Sequence, residues 1–124
     1  MKPTRIQLSR ARGFNLQSES QSLNGLPCVK VDRTTKWGNP FILGEHGTRA
    51  ECVQLFELML SGLICASKDN VAEQAAYLEM ARRDREQLRG KNLACWCPLT
   101  DSHGLKVPCH ADILLDLANQ GDDK

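Results

Sequence analysis

The chain has 124 residues, of which 41% are hydrophobic and 25% charged, with a net charge of +1; these values are ordinary for a globular protein, and we predict a single domain over residues 1–124. No apolar run approaches the roughly 18 residues that a membrane span requires, and no apolar segment follows the basic N-terminus as in a signal peptide. We therefore expect a cytoplasmic protein without a membrane partner, whose six cysteines are reduced and either buried or metal-bound.

Positive charge is concentrated in the first part of the chain. Residues 1–49 contain eight Lys and Arg against three acidic residues, a charge of +5, which leaves −4 for the remainder. A basic segment of this kind either faces phosphate or is simply a solvated surface. Residues 1–25 are polar, and we expect a partly ordered basic arm in which Arg10 and Arg12 contact nucleic acid. The alternative is an ordered segment that is anchored by Phe14.

The first predicted elements lie between residues 28 and 63. Alternation of apolar and polar residues in Cys28–Asp32 predicts a short strand, and Phe41–Leu43 is predicted to form a second one. Thr48 is predicted to begin a helix, because Glu51 stands at the spacing of a capping box and apolar residues follow at helical intervals.

The second half of the chain is predicted to contain two more helices and a strand. A helix over residues 70–88 begins with Asn70 as its cap and ends at Gly90, a typical left-handed stop. Asn92–Cys97 is predicted to be a strand, and a last helix runs from Cys109 to Asn119, followed by a frayed tail over 120–124. This order predicts an α/β fold (or a small α+β fold), with a short sheet and about three helices packed on it.

Four potential metal ligands lie within sixteen residues, namely Cys95, Cys97, Cys109 and His110. Zinc prefers four tetrahedral nitrogen and sulfur ligands, and residues two apart on a strand share one face. A helix start at Cys109 favours the thiolate form that binds metal. We therefore predict a structural zinc clip between the last strand and the last helix, with His103 as the competitor for the fourth position. The alternatives are buried, reduced cysteines or a catalytic or redox thiol.

The segment from Arg33 to Phe41 is the second candidate site. Trp37 is a candidate for stacking on a nucleobase, and Arg33 and Lys36 are candidates for holding a phosphate. The Asn39 amide is a candidate for reading a base or a ribose. The alternative is an irregular turn in which Trp37 fills the core and Asn39 binds loop backbone.

Five motifs, in order along most of the chain, carry a resemblance to a known family. They are Arg5–Gln7, Ser9–Phe14, Lys36–Phe41, Leu88–Cys97 and Pro108–Asp112. With these motifs the chain resembles a family of small bacterial and phage proteins known as domain of unknown function 4326. The resemblance implies that the motif residues form the sites, but it implies no settled activity.

Two departures from the family pattern bear on the site. The family usually has Val-Gly-Arg where this chain has Val31-Asp32-Arg33, which puts an acid beside the expected anion site. Many members also have a shorter loop before the Cys-His motif, so the extra segment that carries His103 is unlike theirs. This difference favours His110 as the fourth ligand.

Three functions follow as hypotheses. The favoured one is a zinc-binding module that binds nucleic acid or a nucleotide through the basic Trp37 loop. The second is a nucleotide- or nucleoside-processing enzyme of the glycosidase or ribosyl-transfer type, with Asp32 or Asp112 as the acid/base. The third is a protein-interaction adaptor. The chain contains no paired-carboxylate motif, nucleophile elbow or P-loop, which is why we favour the binding module.

Overall fold

Three short parallel strands form the centre of the protein. A computed structural model describes residues 2–62 and 70–119, and within them the strands are joined by four helices and one 3-10 turn. The elements are β1 (Arg5–Gln7), α1 (Leu16–Asn24), β2 (Cys28–Lys30), α2 (Arg49–Leu60), α3 (Val71–Asp84) with a 3-10 turn at Arg85–Leu88, β3 (Asn92–Cys95) and α4 (His110–Asn119). Among the described residues, no helix is long and apolar enough to cross a bilayer.

The last strand lies in the middle of the sheet. The strand order is β1-β3-β2, and Leu93 pairs in parallel with Arg5 on one side and Val29 on the other. All four residues of β3 are buried, as expected for a parallel strand that is covered on both faces. The predicted α/β class is therefore confirmed.

The two faces of the sheet pack against different helices. Leu93 belongs to the large cluster that includes residues of α2, α3 and α4, whereas Ala94 belongs to a small cluster against which Leu16 of α1 packs. Asn92 is fully buried, and its Nδ2 donates to Ser20 Oγ at 2.7 Å. Because this buried amide is hydrogen-bonded, its loss of hydration is compensated while it links α1 to the sheet.

Helices α2 and α3 begin at the predicted cap residues, but only α2 is capped by a side chain. The capping box of α2 is confirmed, since Thr48 Oγ1 accepts from the Glu51 N–H at 3.2 Å and Glu51 Oε1 accepts from the Thr48 N–H at 2.9 Å. Asn70 is the N-cap residue of α3, as predicted, but its side chain makes no capping hydrogen bond, since its Oδ1 accepts from Gln74 Nε2 at 2.7 Å. Gly90 is left-handed, with φ of 71°, as predicted.

The predicted strand at Phe41–Leu43 is wrong, because side chains already bind its backbone. The Phe41 N–H donates to Asn39 Oδ1 at 2.9 Å, and the Ile42 N–H donates to His46 Nδ1 at 2.8 Å. The Phe41 carbonyl accepts from Arg33 Nη2 at 3.1 Å. This stretch is therefore an irregular turn and not a sheet strand.

Two regular elements lie in the segment that was expected to be a partly ordered basic arm. Arg5–Gln7 is an edge strand of the sheet, and Leu16–Asn24 is a helix with Asn15 capping the Ser18 N–H. Neither element was predicted, because the helix is largely polar and the strand has only three residues. The predicted frayed tail over 120–124 lies outside the described residues.

A candidate metal centre beside a cavity

The carboxyl ends of the three strands meet at one edge of the sheet. Arg10 follows β1, Asp32 follows β2, and Trp96 and Cys97 follow β3. In open parallel sheets, ligands bind in the crevice outside this edge. The topology therefore gathers these residues from three distant parts of the sequence.

Three cysteines converge at this edge. Cys95 is the last residue of β3, Cys97 follows two residues later, and Cys109 directly precedes α4. The three Sγ atoms lie within 4.8 Å of one another. The Cys95–Cys109 separation of 3.0 Å is well beyond the length of about 2.05 Å of a disulfide bond. The structure thus brings three of the four predicted ligands together as a group that could hold a metal ion.

His110 lies next to this group but outside the mutually close set of donor atoms. Its Nε2 is 2.7 Å from the Val31 carbonyl oxygen, which can only accept, so the ring proton sits on Nε2. The unprotonated Nδ1 lies 3.6 Å from Cys109 Sγ. Burial lowers the pKa of His110, which favours the neutral form that ligates metals. His103, the competitor for the fourth position, lies on an exposed turn, where its backbone N–H donates to Asp101 Oδ1.

Negative charge on the thiols is stabilised from two sides. Hydrogen bonds from the Cys109 and Cys95 thiols, together with the nearby Arg49, hold the pKa of Cys97 far below its ordinary value. Arg49 Nη1 donates to Cys97 Sγ at 3.0 Å. The same thiol hydrogen bonds and burial raise the pKa of Cys95. Arg49 and the neighbouring thiols therefore favour the thiolate form of Cys97, which is the form of cysteine that binds metal.

Asp112 serves the start of α4 and not the cavity. Its Oδ2 accepts from the Cys109 N–H at 3.3 Å, and its Oδ1 lies 3.7 Å from Arg5 Nε and 3.5 Å from Lys106 Nζ. Arg5 is buried and donates to the Val107 carbonyl at 2.7 Å. This pattern fits a helix cap and a loop anchor, and it gives no support to Asp112 as an acid/base.

A cavity of about 340 Å³ opens beside the cysteines. Its polar lining contains one carboxylate and two guanidinium groups, from Asp32, Arg33 and Arg49. The rest of the lining is contributed by Thr34, Asn39, Phe41, Leu43, Cys52, Val53, Cys95, Trp96, Cys97, Cys109 and His110. Candidate ligands of the metal and candidate anion-binding groups thus share one space.

Asp32 is an ionised carboxylate in this cavity, although it is only 5% exposed. Its Oδ1 accepts from the Thr34 hydroxyl at 2.6 Å, and its Oδ2 accepts from Trp96 Nε1 at 3.0 Å. Burial alone would raise the pKa of Asp32, but these two hydrogen bonds and the charge of Lys30 outweigh it, so the pKa lies below its ordinary value.

Trp37 packs in the core and does not face a ligand. It is 3% exposed, and its carbonyl accepts from the Tyr77 hydroxyl at 2.7 Å. Lys36 turns away from the cavity, because its Nζ lies 2.8 Å from Asp84 Oδ2. Trp37 therefore has almost no exposed ring surface, and neither Trp37 nor Lys36 is part of the cavity lining described above.

The rest of the loop is held by its own polar groups. Besides binding the Phe41 N–H, Asn39 donates from Nδ2 to the Cys52 carbonyl at 3.4 Å, and Arg33 Nη1 donates to the Asn39 carbonyl at 3.2 Å. A side chain at Gly38 would lie 2.7 Å from Arg33 Cα, so only glycine fits there. The alternative interpretation of a structural turn therefore holds, while Arg33 and Asn39 also line the cavity.

Sequence reasoning did not single out Arg49 and Trp96, which both line the cavity. Trp96 is 41% exposed, and the Arg10 guanidinium lies 4.6 Å from its ring centroid. Alternation along a strand places Trp96 on the face opposite Cys95 and Cys97. The predicted strand ran to Cys97, whereas β3 ends at Cys95, so no local signal marked Trp96 as a residue at the ligand edge. Arg12 is exposed and is not part of the cavity lining.

The comparisons with known proteins give one match. The family model described as a domain of unknown function, DUF4326, matches residues 14–120, a range that includes the cysteines, Asp32 and Trp96. No curated protein and no solved structure matches the chain.

Proposed function

Because the chain belongs to DUF4326, a family of domains of unknown function, we propose its role from the site itself: it is a small zinc-binding domain that binds a nucleotide in the cavity beside the metal centre. The observation that carries this proposal is the shared cavity, in which three clustered cysteines meet two arginines. The metal is structural in this proposal, and the cavity is the recognition site.

The donor set supports zinc as the metal. Thiolates and imidazole are ligands that zinc prefers. Tetrahedral zinc, with Zn–S of about 2.3 Å and Zn–N of about 2.0–2.1 Å, places a sulfur and a nitrogen ligand about 3.6 Å apart. That value matches the 3.6 Å between Cys109 Sγ and His110 Nδ1. The bond from His110 Nε2 to the Val31 carbonyl is also the second-shell contact that orients ligating histidines. Cys95, Cys97, Cys109 and His110 would thus form a closed structural site.

Metal content tests this half of the proposal. We expect about one zinc per chain by elemental analysis, and loss of most of it in Cys97→Ser. Cys28→Ser is the matched control, because Cys28 is also buried but belongs to the cluster on the opposite face of the sheet. If Cys97→Ser retains as much zinc as Cys28→Ser, the assignment is wrong.

The lining of the cavity supports a nucleotide more than a nucleic-acid strand. About 340 Å³ lies within the range of roughly 300–1,000 Å³ of small-molecule sites. Arg33 and Arg49 line it, and guanidinium groups suit phosphate because their donors form a planar fork. An extended nucleic acid would need a broad basic surface instead. Lys36, one of the basic residues predicted to form such a surface, is paired with Asp84.

A calorimetric titration with AMP tests the ligand. We expect binding to the metal-loaded protein that weakens about tenfold in Arg49→Gln and remains unchanged in Arg12→Gln, the control for an exposed arginine outside the cavity. Arg49→Gln is used only if its zinc content matches the wild type, since Arg49 also contacts Cys97. Absence of AMP binding, together with tight and strongly salt-dependent binding of an oligonucleotide, would favour the nucleic-acid alternative.

The ionised Asp32 favours one further candidate function, a nucleotide-processing enzyme. A buried carboxylate that lines the cavity can act as a general base toward water at the N-glycosidic carbon. Incubation with AMP and other nucleotides, followed by chromatography for the free base, tests this role. Release that is lost in Asp32→Asn supports the enzyme, and no release from any nucleotide rules it out.

A further inference from the structure

We infer that Trp96 and Arg10 form a subsite for a planar aromatic ring, so that the ligand in the cavity is recognised at its nucleobase by this pair and at its phosphate by Arg33 and Arg49. This inference rests on the proposed nucleotide-binding function and makes it more specific. It assigns to Trp96 the stacking role that the sequence had suggested for Trp37.

The exposure of the Trp96 ring is the first argument. Trp96 is 41% exposed while Trp37 is 3% exposed, and Trp96 is the tryptophan that lines the cavity. A large exposed aromatic ring beside a polar cavity leaves apolar area in water that a stacked base would cover.

The fixed orientation of the ring is the second argument. Trp96 Nε1 donates to Asp32 Oδ2 at 3.0 Å, and Asp32 is held from its other oxygen by Thr34 at 2.6 Å. The Nε1 edge of the indole is therefore anchored at Asp32, while the residue as a whole stays 41% exposed. An exposed ring that is held in place loses little conformational freedom when a ligand stacks on it.

The Arg10 guanidinium is the third argument. It lies over the Trp96 ring at 4.6 Å, and guanidinium planes, like aromatic rings, stack on nucleobases. Within the part of the chain that the structure describes, Arg10 makes no hydrogen bond or ion pair, and Arg10, Ala11, Arg12 and Gly13 are all exposed. The guanidinium can therefore move outward and close on a base that enters between it and the indole.

The placement of charge around the cavity is the fourth argument. Arg33 and Arg49 line the same cavity as Trp96, and Arg49 also contacts Cys97, one residue further along the chain. A small molecule that fills this cavity would need an aromatic ring to stack on Trp96 and an anionic group to bind these arginines. A nucleoside monophosphate has this chemistry, whereas a sugar phosphate lacks the ring.

The test compares AMP, ribose 5-phosphate and inorganic phosphate in calorimetric titrations of the zinc-loaded protein. We expect wild type to bind AMP at least about tenfold more tightly than ribose 5-phosphate, and Trp96→Ala to reduce that preference to about twofold or less. Trp96→Phe keeps a ring without the bond to Asp32 and should keep most of the preference. Each variant is compared at matched zinc content, which controls for folding.

A fluorescence titration gives an independent readout. The chain has two tryptophans, so Trp37→Phe leaves Trp96 as the single tryptophan, whose emission is excited selectively at long wavelength. We expect AMP to quench this emission at saturation and ribose 5-phosphate to leave it nearly unchanged. Equal affinities of wild type for AMP and ribose 5-phosphate would overturn the ring subsite while leaving phosphate binding intact. An AMP preference that survives Trp96→Ala would also overturn it. Absence of binding by all three probes would instead refute the proposed function on which the inference rests.

Discussion

The two tryptophans of this protein lie in very different surroundings. Trp37, between Lys36 and Gly38, is 3% exposed, whereas Trp96, between Cys95 and Cys97, is 41% exposed. Trp37 stabilises a turn packed on α3, while Trp96 stands at the carboxyl end of the central strand beside the cysteines. The difference teaches that the topology of the sheet, more than local composition, determines which aromatic residue can meet a ligand.

The largest expected loss of stability comes from a substitution in the metal centre beside Trp96. Cys109→Ser should lose the metal and lower the free energy of unfolding by about 3 kcal/mol or more, because metal binding couples to folding and Cys109 connects β3 to α4. For a chain of this size that is roughly a 10 °C drop in Tm, measurable by calorimetry. Cys28→Ala should retain the metal and cost about 1 kcal/mol. Equal losses in both variants would contradict a metal role for Cys109.

The second-largest effect should separate the tryptophans directly. Trp37→Ala should cost about 3–5 kcal/mol in urea unfolding, because a buried tryptophan leaves a large cavity. Trp96→Ala should cost about 1–2 kcal/mol, mainly through the lost hydrogen bond to buried Asp32. If Trp96→Ala proved the more destabilising substitution, Trp96 would be a core residue and the contrast would fail.

Asn39 tests whether the turn is structural. Its Oδ1 accepts from the Phe41 N–H and its Nδ2 donates to the Cys52 carbonyl, so Asn39→Ala should cost about 1–2 kcal/mol in thermal unfolding. Asn39→Asp keeps the acceptor and loses only the donor, and about half of that loss is expected. No loss in either variant would indicate that Asn39 is free for ligand recognition.

How far the sequence predicts this protein depends on the kind of evidence each residue offers. Local rules found the capping box of Thr48 and Glu51 and the stop at Gly90, because a few neighbouring residues determine them. The ligand spacing also brought Cys95, Cys97 and Cys109 together correctly. The sequence did not predict β1, since a three-residue edge strand is set by its pairing with β3, nor the exposure of Trp96, since burial depends on residues far away in the chain.

The smallest expected effect concerns Lys36. Its partner Asp84 has a pKa lowered to about 2 by hydrogen bonds from Arg83 and Lys36. The pKa of Asp84 in the folded protein lies below the ordinary value of about 3.9. The ion pairs of Asp84 therefore stabilise the fold fully above pH of about 3.9, and this stabilisation is lost as the pH falls through about 2. Lys36→Ala should reduce Tm slightly at pH 7, less so in high salt, and leave AMP affinity unchanged. A marked loss of AMP affinity would return Lys36 to the binding site.

Zinc K-edge X-ray absorption on the purified protein tests the metal centre most directly, because it reports the donor atoms themselves. We expect about three sulfur ligands at about 2.3 Å and one nitrogen ligand at about 2.0–2.1 Å, with the nitrogen shell lost in His110→Ala. Metal-free protein, or a metal without a sulfur shell, would contradict a centre built from Cys95, Cys97 and Cys109.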